Sequence, residues 1–272
     1  LIHAFSVDVE DWYQGIPVSD AFKAGAEPRL EHGLNRLLDV MAEHDVRGTF
    51  FILGPLVQSY PQAMKRIAGE GHEIGCHGWS HDLLYDMTPA RFAEETRAAR
   101  DRIADFVSRP VTAYRAAYFS VTRQSMWALE ILASLGFHYD SSIFPVRNWR
   151  YGIEDFSRDP VLIATPSGPI WEFPISVMTR YGRTMPVSGG AYFRIYPYAL
   201  TRSNLRICEQ AGRPVIFYLH PWELDAEHPR VDFHWKPRLT HYINLRSTAP
   251  KLKRLFQDFR FGSIADVIGS AT

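Results

Sequence analysis

The chain has 272 residues, and 30 lysines and arginines stand against 30 aspartates and glutamates, so its formal charge is zero. That balance gives no general attraction to nucleic acid or to an anionic membrane surface. Two cysteines, Cys76 and Cys208, make neither a disulfide framework nor a paired-thiol metal site. The length suits one large core, and a single domain over 1–272 is expected. No apolar run is long enough to span a bilayer. The opening LIHAFSVDVE lacks the basic region and small-residue cleavage site of a signal peptide. Cytoplasmic placement is therefore expected. Because the first residue is not methionine, a trimmed leader and a periplasmic location stay open.

In chain order, AFSVDV (Ala4–Val9) is the first predicted strand, with Asp8, Glu10 and Asp11 at its end. Leu34, Leu37, Leu38 and Met41 then mark one face of a helix. GTFFIL (Gly48–Leu53) is the second strand and HEIGC (His72–Cys76) the third, followed by His77 and His81 in HGWSH. Phe92, Thr96, Ala99 and Ile103 line a helix whose cap and first turn are Thr88 and Pro89. TAYRA is the fourth strand, closed by Arg115. A helix through Met126, Leu129 and Leu132 stops at Gly136. FHYD (Phe137–Asp140) is the fifth strand. Residues 149–196 break the rhythm with Pro, Gly and aromatics, and read as a hairpin-bearing insertion containing PVLIATP and IWEFPISV. PVIFYLH (Pro214–His220) is the clearest later strand. This alternation points to parallel strands joined by helical crossovers, an α/β fold of barrel-like form.

In such a barrel the chemistry collects at the C-terminal ends of the strands. Asp8, Glu10 and Asp11, His77 and His81, Arg115, Asp140, and His220 each close or follow a predicted strand. Their coincidence on one rim is a stronger signal than any one of them. His77 and His81 share a face if HGWSH makes a helical turn. Two imidazoles and a carboxylate with an open position form a common catalytic zinc arrangement. The plain alternative, a loop pair bonded to backbone, loses ground because carboxylates arrive from another strand. Alternation puts Asp8 and Glu10 on one face of the first strand, and Asp11, before Trp12, suits a turn or cap. One carboxylate can hold a metal while the other takes a proton. Arg115 and Asp140 read equally well as a buried ion pair or as a device that orients the base and lowers its pKa. His220, followed by Pro221 and Trp222, suits a rim position and a general-acid role.

FSVDVED, HGWSH, YRAAYFS, FHYDSS and YLHPWE resemble, in order, the five motifs of the polysaccharide deacetylases, carbohydrate esterase family four. The resemblance is strongest to the branch associated with bacterial exopolysaccharide gene clusters, where DVEDW and GGAYFRIYPY (Gly189–Tyr198) recur. It implies a distorted (β/α) barrel of about seven strands, fewer than the full eight. It further implies Asp8 as general base, His77 and His81 as metal ligands, and Arg115 as the residue orienting Asp8. The backbone amide near Tyr118 would stabilise the oxyanion, and Asp140 would sit behind His220, raising its pKa. Most members carry adjacent aspartates, whereas Val9 fills the second position here, so the metal carboxylate is Glu10 or Asp11. An Asp-x-Asp spacing in some relatives, with strand alternation, selects Glu10. The third motif has RAAY where many members carry prolines.

The implied reaction is hydrolysis of an N-acetyl group on N-acetylglucosamine-type residues of a bacterial polysaccharide or its oligosaccharide precursor. It would use one divalent metal, with zinc favoured and cobalt, nickel, iron or manganese also compatible with the donors. The partner expected is an N-acetylated saccharide; no nucleic acid or membrane span is expected. Trp149, Trp171, Tyr192 and Trp222 are candidates for stacking on sugar faces. Two rival readings are a cyclic amide or imide hydrolase on the same site and a non-catalytic carbohydrate-binding relative. Only the deacetylase releases acetate.

Overall fold

The computed structural model describes residues 1–271 apart from Trp149, Tyr181 and Ser188, and excludes the side chains of Asp20, Ser270 and Ala271. Its strands are β1 (His3–Val9), β2 (Thr49–Ile52), β3 (Glu73–Cys76), β4 (Ala113–Tyr114), β5 (Tyr139–Asp140), β6 (Val161–Thr165), β7 (Gly168–Glu172), β8 (Val177–Arg180), β9 (Arg183–Pro186), β10 (Ile216–Leu219) and β11 (Phe261–Gly262). The strands read from sequence fall on β1 to β5 and β10, with ends shifted by a residue or two. The chain divides into two compact units, one of residues 1–48 with 188–272, the other of residues 49–187. Each is α/β with mostly parallel strands. Among the described residues no helix is long and apolar enough to cross a membrane.

In the first unit β1 pairs in parallel with β10, from Ala4 opposite Ile216 to Val7 opposite Leu219, and also with β11. Every residue of β1 is buried, as expected of a parallel strand covered on both faces. Phe5 stacks on Phe217 at 5.7 Å between centroids, with Phe193 and Phe256 edge-on to this pair. The helix Leu30–Glu43 turns Leu34, Leu37, Leu38 and Met41 inward, the face read from the sequence. A backbone contact sets its distance from the turn after β10. A Cβ added at Gly33 would stand 2.0 Å from the Pro221 carbonyl oxygen. Only glycine permits that approach, and the turn it supports carries His220.

In the second unit β2, β3, β4, β5 and β7 run parallel in that order, and β6 closes the edge antiparallel to β7. Part of the expected insertion therefore belongs to the sheet, because β7 pairs with β5. The antiparallel β6 is what breaks the strand–helix rhythm. A second hairpin, β8–β9, stands outside this sheet. Helix Pro89–Val107 begins as predicted: Thr88 Oγ1 accepts from the Arg91 amide at 3.2 Å, and Phe92, Thr96, Ala99 and Ile103 are buried. Both cysteines are buried free thiols.

The register places Cys76, Tyr114, Asp140 and Glu172 in one row across β3, β4, β5 and β7. Asp140 and Glu172 thus face each other with no exposed surface. Burial drives both carboxyl pKa values up, that of Glu172 well above the ordinary glutamate range with the Asp140 charge as second cause. Neither Asp140 Oδ2 nor Glu172 Oε2 meets a donor on another group. Two carboxyls buried face to face, both with raised pKa values, favour a protonated form over two neighbouring charges.

Two outcomes follow from this packing. Gly33→Ala should destabilise the protein by about 1–3 kcal/mol through overpacking. Gly69→Ala, where an added Cβ meets nothing within 4 Å, should leave stability level or raised by up to about 1 kcal/mol; equal urea midpoints for the two variants would contradict the contact. A group that keeps its proton folded but loses it unfolded weakens stability as pH rises. The wild type should therefore lose stability as pH climbs above the ordinary glutamate range. Glu172→Gln, which needs no proton to bond Asp140, should show a smaller decline when urea midpoints at pH 5 and 8 are compared.

Candidate active site

The first unit carries an acid–base cluster at the ends of β1 and β10. Val7 lies opposite Leu219, so the next residues, Asp8 near the end of β1 and His220 just past β10, stand at one level. His220 Nε2 lies 3.0 Å from Glu10 Oε1 and 3.9 Å from Asp8 Oδ2. On the other side of the ring, Nδ1 lies 2.8 Å from Glu223 Oε1, which also accepts from the His220 backbone amide at 3.0 Å. Burial by itself would strip the proton from this imidazole. The charges of Glu10, Glu223 and Asp8 outweigh that and raise its pKa to about 9. The ring carries a proton at neutral pH, as a general acid requires.

Glu10 and Asp11 divide as strand alternation predicts. Asp11 accepts from the Trp12 amide at 2.8 Å, the Arg29 amide at 2.8 Å and the Leu30 amide at 3.0 Å. Its carboxylate thereby caps the start of helix Leu30–Glu43 and anchors the loop before it. Glu10, two residues from Asp8, lies against His220 instead.

In the second unit the parallel row brings His77 and Arg115 to adjacent strand ends, since the Arg115 amide donates to the Cys76 carbonyl at 3.0 Å. His77 Nδ1 lies 2.7 Å from the Arg115 carbonyl oxygen. That bond places a hydrogen on Nδ1 and directs the Nε2 lone pair outward, as in a metal-ligating histidine. The His81 ring is 5.3 Å from that of His77 between centroids. HGWSH is not the expected helical turn. It is a loop, and His81 brings its ring round with a left-handed φ of 61°. The two imidazoles fit a metal by donor chemistry and tautomer.

Arg115 is fully buried and donates to the Ser141 carbonyl at 2.9 Å and to Ser141 Oγ at 2.8 Å. Tyr118 sits in a tight turn with φ 56°, followed by Phe119 at 54°, two left-handed residues of a kind that large side chains avoid. Its ring lies 4.7 Å from that of His81, and the Arg150 guanidinium lies 3.7 Å above it. Beside Arg150 opens a polar cavity of about 510 Å³ lined by Tyr85, Arg123, Asn148, Tyr151 and Asp155 among others.

Two expected roles are corrected. The carboxylate behind His220 is Glu223 and not Asp140, which accepts from Ser142 Oγ and faces Glu172. Trp222 is 7% exposed, and its indole lies nearly parallel to the His220 and His241 rings at 5.3 and 4.2 Å. It packs the support of His220 and offers no open face to a sugar. Trp149 lies outside the described residues. Glu172, Glu223 and Arg194 escape the sequence reading. Each stood inside a quoted stretch, Glu172 in IWEFPISV, Arg194 in GGAYFRIYPY and Glu223 in YLHPWE, but only Glu223 had a local signal, as an acid three residues after His220.

Residues 21–139 match the family model described as polysaccharide deacetylase, and residues 141–269 match a domain described as of unknown function, DUF3473. The chain is similar to the provisionally assigned polysaccharide deacetylase YheN of Bacillus subtilis (strain 168), with 34% identity over 117 residues, 43% of this chain and 42% of that protein. It is also similar to the chitooligosaccharide deacetylase of Rhizobium leguminosarum bv. trifolii, with 28% identity over 156 residues, 55% of this chain and 66% of that protein. The matches thus span less than two thirds of these curated relatives. A crystal structure of a provisionally assigned polysaccharide deacetylase from Mycobacterium smegmatis superposes with a TM-score of 0.67 at 19% identity, over 97% of this chain and 87% of that one. That likeness concerns the fold. Taken with the five ordered motifs, these similarities show a polysaccharide deacetylase domain, of carbohydrate esterase family four, over residues 21–139, adjoined by a DUF3473 domain over residues 141–269.

Proposed function

We propose that the chain is a metal-dependent hydrolase that removes N-acetyl groups from amino sugars of a bacterial polysaccharide or its oligosaccharide precursor. Family membership supports the reaction class. The observation that carries the reading is the His77–His81 pair, with the His77 tautomer set by the Arg115 carbonyl. Glu10 is proposed as the third donor, giving two imidazoles and a carboxylate, a set that suits zinc and tolerates other divalent ions. When bound, such an ion supplies Lewis acidity and makes water acidic enough to deprotonate near neutral pH.

The chain's own residues supply the remaining chemistry. Asp8 is proposed to accept the proton of the attacking water, and Arg115 to orient it. The backbone turn at Tyr118 is proposed to donate an N–H to the developing oxyanion, a contact whose removal costs about 3 kcal/mol in other hydrolases. His220 hands its proton to the amine nitrogen as the C–N bond breaks, giving free amine and acetate. The Arg150 cavity supports a substrate longer than one sugar, since its lining offers both hydrogen-bonding groups and aromatic edges.

Elemental mass spectrometry after mild dialysis should find about one metal per chain in the wild type and little in His81→Ala. Equal metal in both would remove His81 from the site. Asp8→Asn should lower acetate release from N-acetylglucosamine oligomers by about 10²-fold or more, while binding of the same oligomers, followed by calorimetry, is retained. Full activity in that variant would refute Asp8 as base.

A further inference from the structure

The motif GGAYFRIYPY plays no part in the chemistry above, yet it holds the most buried cation of the first unit. Arg194 is 1% exposed, and its Nε donates to Glu223 Oε2 at 2.6 Å. A terminal nitrogen of the same guanidinium donates to the carbonyls of His241 at 3.0 Å and Ile243 at 2.8 Å. The backbone around Arg194 is itself pinned. Asn244 Nδ2 donates to the Arg194 carbonyl, and Lys251 Nζ donates to the carbonyls of Phe193, Arg194 and Tyr196. At the head of the motif, Gly189 and Gly190 have φ of 114° and 47°, and a Cβ on either would meet the Tyr218 ring within 3 Å. The two glycines let the motif lie against β10 two residues before His220.

We propose that Glu223 is the positioning residue of the general acid, and that the GGAYFRIYPY segment is the brace that holds it through Arg194. The argument is geometric. One carboxylate oxygen of Glu223 takes both the His220 backbone amide and Nδ1, so ring and backbone are tied to one point. Its other oxygen meets a forked cation that cannot swing, because backbone carbonyls hold that cation. The imidazole is thereby fixed about its side-chain torsions, with a hydrogen on Nδ1 and with Nε2 directed toward Asp8 and Glu10. A carboxylate three residues along the chain does what the resemblance assigned to Asp140. Asp140 is left to its buried partnership with Glu172. This role rests on the deacetylase reading for its meaning, but the geometry of the ring can be read without turnover.

The test is proton–nitrogen NMR of the histidine side chains in the zinc-loaded chain, with the His220 signal assigned by its loss in His220→Ala. Glu223→Leu combined with Arg194→Met removes both charges together, so no buried ion is left alone. It should abolish the protected Nδ1–H resonance of His220 and lower kcat for acetate release by about 10²-fold with KM changed less than about threefold. Arg194→Lys keeps a cation but loses the fork; it should shift the same resonance and lower kcat by about tenfold, and it decides the question if the double variant does not fold. Asp140→Asn should leave the resonance in place. A resonance unmoved in the Glu223 and Arg194 variants, or one lost in Asp140→Asn, would overturn the proposal. So would loss of the resonance with unchanged kcat. If the wild type releases no acetate, the deacetylase reading fails while the resonance still decides whether Glu223 positions the ring.

Discussion

Parallel register is the constraint on which the rest of this molecule depends. Strands that run the same way present their C-terminal ends on one side, and the pairing decides which residues stand level there. Cys76, Tyr114, Asp140 and Glu172 form such a row in one unit, so His77, Arg115 and Ser141 emerge together just beyond it. Val7 opposite Leu219 does the same for Asp8 and His220 in the other. A slip of one residue would send each of these side chains to the opposite face. Both strands are buried throughout, so a slipped pairing would misplace packed side chains such as Phe5 on Phe217.

The strand ends of each unit are crowded with buried ionisable groups, and burial of charge is unfavourable unless it is compensated. Two solutions stand within this chain. Glu223 remains ionised because Arg194 and His220 outweigh its burial and hold its pKa below the ordinary range. At Asp140 and Glu172 burial outweighs the opposing Arg115 charge and the Ser142 hydrogen bond, and both pKa values are raised. The choice follows from what the neighbouring element offers. Beside Glu223 lies a segment with an arginine, and beside Asp140 lies a strand end with a glutamate. A charged carboxylate can fix an imidazole through one strong bond, whereas two carboxyls buried face to face disfavour a second charge.

Backbone strain concentrates at the strand ends of the second unit. His81, Tyr118 and Phe119 adopt left-handed conformations that side chains of this size rarely take, each at about 1–3 kcal/mol. Packing holds them there. Tyr118 lies between the His81 ring and the Arg150 guanidinium, and the Ser120 hydroxyl accepts from the Leu84 amide and donates back to the Ala117 carbonyl. The reward is position: the loop after β3 and the turn after β4 bring an imidazole and a backbone bend side by side, which regular helical geometry over the same residues could not do.

Much of this was legible in the chain of letters. Apolar runs named the strands from β1 to β5 and β10, and the polar residue at or just past the end of each run named Asp8, His77, Arg115, Asp140 and His220, because buried parallel strands are mostly apolar and ionisable groups gather toward their ends. Alternation also separated Glu10 from Asp11, and the structure gives Asp11 to three backbone amides. What the sequence could not decide was partnership. Whether Asp140 or Glu223 stands behind His220 depends on which segment crosses beneath the turn, and Arg194 reaches Glu223 from 29 residues away. Glu172 entered the row only because β7 pairs with β5, a contact between segments 32 residues apart that no local pattern encodes. Periodicity and end chemistry are local properties written along the chain, whereas the pairing of buried charges is settled only when distant elements pack and exclude water.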